Sequence, residues 1–65
     1  MTTTAKENWM LNIQNAADSI AAHPSGDEIV KHVLSKHGAR SIEDLSPSHF
    51  AEVFDELDYI ANDLR

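Results

Sequence analysis

Sixty-five residues, 42% of them hydrophobic, make one small domain, with no room for a second core or a large substrate cleft. Eleven acids against five bases give a formal net charge of −6, which excludes a generic polyanion binder, because phosphate contacts need clustered Lys and Arg. The absence of cysteine excludes a disulfide, a thiolate nucleophile and a cysteine-based zinc site.

The first predicted element is a helix over about residues 4–22, with residues 1–3 frayed. Thr4 and Glu7 have the spacing of a capping box, in which the hydroxyl accepts a backbone N–H and the carboxylate reaches back. At about 100° per residue Trp9, Ile13, Ala16 and Ile20 fall on one stripe, with Ala5 and Ala17 at its edges. Pro24 forces a break, because the residue before a proline is pushed out of the α region.

A second helix is predicted over about residues 26–37. Ser25-Gly26-Asp27-Glu28 has the form of another capping box, with two acids near the positive helix end. Ile29, Val30, Val33 and Leu34 form its apolar face, and Lys36 and His37 fall in its last turn. Gly38 is placed to be the left-handed residue that closes it. Residues 39–46 are a connector in which Ser41–Leu45 suggests one helical turn, Ile42 and Leu45 pointing inward. Ser46-Pro47 then reads as N-cap and first residue of a third helix over about residues 47–63, with the stripe Phe50, Val53, Phe54, Leu57, Ile60 and Leu64. The expected architecture is all-α: a single domain over residues 1–65, a three-helix bundle with a short helical turn between helices 2 and 3. Trp9, Phe50 and Phe54 are its largest core candidates.

The order Lys36-His37-Gly38, Ala39-Arg40-Ser41-Ile42-Glu43-Asp44-Leu45, Ser46-Pro47-Ser48-His49-Phe50 and a closing acidic helix resembles a small helical module at the C-terminus of some phage and Firmicute proteins, including single-strand annealing recombinase tails. The resemblance spans residues 29–64 and carries no catalytic residues. It implies an accessory or interaction role.

Motifs for chemistry are lacking. Gly26 and Gly38 are too separated for a phosphate loop, and no nucleophile–base pair can be named, so neither an enzyme nor a cofactor is expected. The four histidines are His23, His32, His37 and His49. His49, Glu52 and Glu56 share one side of the third helix, where a carboxylate-rich metal site is geometrically possible. No histidine pair, however, has close ligand spacing, and the expectation is a solvated face without a metal. His37 falls by angle among Ile29, Val30, Val33 and Leu34, and is read as a boundary residue that packs its ring and satisfies a nitrogen on a nearby carbonyl.

Charge is uneven. Residues 47–65 carry five acids, Glu52, Asp55, Glu56, Asp58 and Asp63, against the single base Arg65, a net of −4; residues 27–40 carry two acids and three bases, a net of +1. Tyr59 lies opposite the apolar stripe of the third helix among Glu52, Asp55, Glu56 and Asp63. An aromatic ring in an acidic field suits an interface anchor, and these five residues are the candidate surface for a protein partner. A helix-turn-helix DNA binder is disfavoured, since its recognition helix would be the most acidic element. Two alternatives are a DNA-mimicking antagonist of a nucleic-acid-binding protein and a structural homo-oligomer; Leu11, opposite the Trp9 stripe, offers a second contact, for example in a dimer. Met1-Thr2-Thr3-Thr4 lacks the features of a signal peptide, and apolar runs such as Trp9-Met10-Leu11 are too short to span a bilayer. The expected setting is therefore the cytoplasm, with no membrane contact.

Overall fold

The structure, a computed structural model, describes residues 3–64. Helix α1 spans Thr3–Ala21, α2 spans Gly26–Lys36 and α3 spans Phe50–Asp63, with 3₁₀ turns at Ile42–Asp44 and Pro47–His49. The chain is thus an all-α three-helix bundle with a short helical turn between α2 and α3, and no strand occurs among the described residues. No helix among them is long and apolar enough to cross a membrane. The three stripes meet in one core: Ile13, Ala16, Ala17 and Ile20 from α1, Val33 and Leu34 from α2, Ala39 and Leu45 from the connector, and Phe50, Val53, Leu57 and Ala61 from α3.

Helix α1 packs most extensively on α3, next on α2, while the α2–α3 contact is the thinnest. Of the three large aromatic candidates only Phe50 is fully buried. Trp9 and Phe54 are half-buried and meet edge to face, ring centroids 6.0 Å apart at 67°, an arrangement that the ring quadrupoles favour. They cover the rim of the core.

The helix ends depart from the sequence reading. Helix α1 is already formed at Thr3, so Thr4 lies inside the first turn and is not its N-cap; residues 1 and 2 of the expected frayed segment lie outside the described residues. Ser25 makes no side-chain capping bond. It sits instead at φ 63°, ψ 10°, the third position of a turn closed by Gly26 N–H donating to the His23 carbonyl at 2.9 Å, with Pro24 in the second. That geometry matches a type II turn, which normally places Gly or Asn there. Ser25 thus trades its cap for the tight reversal that brings α2 back along α1. Ser46 also lacks a side-chain capping bond, and Pro47 opens a 3₁₀ turn, so α3 itself begins at Phe50.

The end of α2 follows expectation. Gly38 is left-handed at φ 73°; its N–H donates to the Ser35 carbonyl and the Ala39 N–H to the Leu34 carbonyl, both at 3.0 Å. This is a Schellman closure, and buried Ala39 supplies the apolar contact that goes with it. The connector is then held by Asp44, whose carboxylate accepts the Arg40 N–H at 3.1 Å.

Candidate functional site

Helix α3 buries Phe50, Val53, Leu57 and Ala61 and packs Phe54 and Ile60 against the same core, so its acids lie on the opposite side. Glu52, Asp55, Tyr59 and Asp63 are exposed and Glu56 is half-buried at the edge of that face. Tyr59 is 75% exposed. From Glu52 to Asp63 the face runs about 16 Å at 1.5 Å per residue. The structure therefore places all five candidate residues on one side of one helix. Leu11, 60% exposed on α1, is the other large exposed apolar side chain among the described residues.

One of the five is committed within the fold. Glu56 accepts from Lys36 Nζ through Oε2 at 2.9 Å and pairs with His37 Nε2 through Oε1 at 3.0 Å. Each carboxylate oxygen thus holds one group from the C-terminal end of α2. The Lys36 bond first, and the His37 bond second, hold the Glu56 carboxyl below its ordinary 4.5, against the opposing effect of desolvation. A carboxyl depressed on folding adds stability that is present above its unfolded value and is lost as pH falls through the folded one. Melting temperature should accordingly fall with pH between roughly pH 5 and 3, and Glu56→Gln should make that fall shallower. Equal slopes in parent and variant would show that the clamp is not formed. The heads lie at the surface, so the effect should also diminish in salt.

The second ring nitrogen of His37 does not reach a carbonyl. Its Nδ1 lies 2.9 Å from Nδ1 of His49, the rings edge to face with centroids 5.1 Å apart. One of these nitrogens carries the hydrogen and the other accepts it. Glu52 Oε2 is 4.0 Å from His37 Nδ1. The His37 side chain is only 9% exposed, so the expected packing role holds, but its polar partners are a carboxylate and a second imidazole. The pair His37 and His49 was invisible along the sequence because the connector, not one helix, brings them together. His49 rides on the 3₁₀ turn that precedes α3, and its ring folds back over the end of α2. One ligand atom each from His37, His49 and Glu52 lies within 4.8 Å of the others. Of the residues read as a possible metal site, His49 and Glu52 join this group, and Glu56 stands behind it on the far nitrogen of His37.

Comparisons with protein-family models, with curated proteins and with solved structures return no match.

Proposed function

We propose that the protein is a small acidic protein-interaction module that docks a basic surface of a partner protein on the outer face of α3. Tyr59 is the central anchor, Glu52, Asp55 and Asp63 supply the surrounding negative field, and Glu56 borders it. The observation that carries this reading is the placement of Tyr59: a large amphipathic ring, three-quarters exposed, on the most acidic element of the chain, with the opposite side of the same helix filled by the core. Folding leaves that ring in water. Docking would desolvate it, and aromatic rings of this kind dominate interface energetics.

The test uses the protein as bait to recover its partner from the source cells, followed by binding measurements on purified components. Tyr59→Ala should weaken binding by about 1–3 kcal/mol, roughly 5- to 150-fold, with helicity unchanged. The triple change Glu52→Gln, Asp55→Asn and Asp63→Asn should slow association and flatten its salt dependence, because exposed charges are screened over about 8–10 Å at ordinary ionic strength. Folded variants that bind as tightly as the parent at both low and high salt would refute the assignment and direct attention to Leu11 and α1.

A further inference from the structure

We infer that His37, His49 and Glu52 form a binding site for one Zn²⁺-type divalent ion, at the junction of α2, the second 3₁₀ turn and α3. The site shares Glu52 with the partner surface, but it rests on the histidine geometry and not on Tyr59 or the charge of the helix.

Two imidazoles and one carboxylate suit a borderline transition ion, whereas Ca²⁺ and Mg²⁺ call for oxygen ligands. A zinc ion sits about 2.0–2.1 Å from each ligand atom, so tetrahedral ligands lie about 3.4 Å from one another. The two Nδ1 atoms, 2.9 Å apart, need to open by about half an ångström, and Glu52 Oε2, 4.0 Å from His37 Nδ1, needs to close by a similar amount. Glu52 is free to do so, with its side chain 71% exposed. Three protein ligands leave a fourth position for water, on the solvent side.

A second observation is independent of the ligand distances. The contact of His37 Nε2 with Glu56 Oε1 at 3.0 Å places a hydrogen on Nε2, because an ionised carboxylate only accepts. The lone pair of His37 is then on Nδ1, directed at His49 and Glu52. A carboxylate behind a ligating imidazole fixes the tautomer and ring orientation in this way at many metal sites. Here Glu56 is itself anchored by Lys36 at 2.9 Å. The His37 ring, 9% exposed, is therefore oriented before any ion arrives. Binding would move the hydrogen of His49 from Nδ1 to its own Nε2, which keeps the ring neutral and leaves both Nδ1 lone pairs on the ion. The ion would also join residue 37 to residues 49 and 52, closing the connector of residues 38–48 with a cross-link.

The experiment titrates the full chain, freed of metal by a chelator, with ZnCl₂ in a non-coordinating buffer near pH 7.5, by calorimetry and by NMR of the histidine ring nitrogens. One ion per chain is expected, with the Nδ1 resonances of His37 and His49 shifting and those of His23 and His32 unchanged. At a hundredfold excess over Kd the melting temperature should rise by roughly 10–20 °C. His49→Gln and Glu52→Gln should each weaken binding at least tenfold, and Glu56→Gln, which removes only the orienting carboxylate, by about 10- to 100-fold. His32→Gln, on the exposed face of α2, should bind as the parent does. Glu52 is exposed and His49 half-buried, and circular dichroism checks that the variants are folded before they are titrated. No saturable Zn²⁺ binding by the folded parent, half an ion per chain, or equal loss in His32→Gln and His49→Gln would each overturn the site.

Discussion

Gly26→Ala is expected to unfold much of the population at room temperature. Gly26 opens α2 and is buried against the end of α1. A Cβ built on it would overlap the Ile20 carbonyl oxygen, and would lie 2.6 Å from the Ile20 carbonyl carbon and 2.9 Å from Ala21 Cα. All three are backbone atoms of α1, so no side chain can rotate away; the two helices must separate. Overpacking of this kind costs about 3 kcal/mol or more, at the upper end of its usual range. A 65-residue single-core domain holds only about 3–5 kcal/mol in total. Gly38→Ala makes the comparison. Its Cβ would meet nothing within 4 Å, so only the strain of φ 73° is added, about 1–2 kcal/mol. Urea titrations followed by circular dichroism should therefore rank Gly26→Ala well below Gly38→Ala. The reverse order would mean that α1 and α2 do not approach as closely as described.

Phe50→Ala is the second large effect, at about 3–5 kcal/mol. Phe50 is 1% exposed and is the largest of the fully buried side chains among the described residues. It is also the first residue of α3, directly after the turn that carries His49. Its removal leaves a cavity at the point where the connector hands the chain to the last helix. Phe54→Ala, at the half-exposed rim against Trp9, should cost clearly less, because solvent can reach the space it leaves. Parallel thermal melts decide between them: a Phe50 variant as stable as the Phe54 variant would contradict the placement of the core.

The core was legible in the sequence because amphipathic periodicity is a property of one helix at a time. Ile13, Ile20, Val33, Leu34, Val53 and Leu57 fall inward as their spacing predicts. The Gly38 stop was legible for the same reason: a left-handed closure is decided by a few adjacent residues. Ser25 misled because a serine before a helix can either cap it or occupy a turn, and the choice is set by Pro24 and by the need to fold α2 back on α1. Gly26 gave no sign of its close approach, which depends on a residue six positions earlier across a reversal. The histidine cluster escaped for a related reason. Angles around one helix place His49 beside Glu52 and Glu56, but they say nothing of His37, which the connector delivers from another element. Local rules read caps and stripes; they do not read which ends of different helices meet.

The acidic face of α3 was equally legible, since it needs only one helix and its charges. What the structure adds is that Glu56 is partly withdrawn from it by Lys36 and His37, leaving Glu52, Asp55, Tyr59 and Asp63 as its outward groups.

The most direct test of that face is an NMR footprint: the amide spectrum of the isotope-labelled protein recorded alone and with its purified partner. The account predicts that line broadening and shifts concentrate on the outward residues of α3 around Tyr59, from Glu52 to Asp63, and diminish when salt is raised, while the amides around Leu11 remain unchanged. A footprint centred on Leu11 and α1, with the Tyr59 region unaffected, would contradict it.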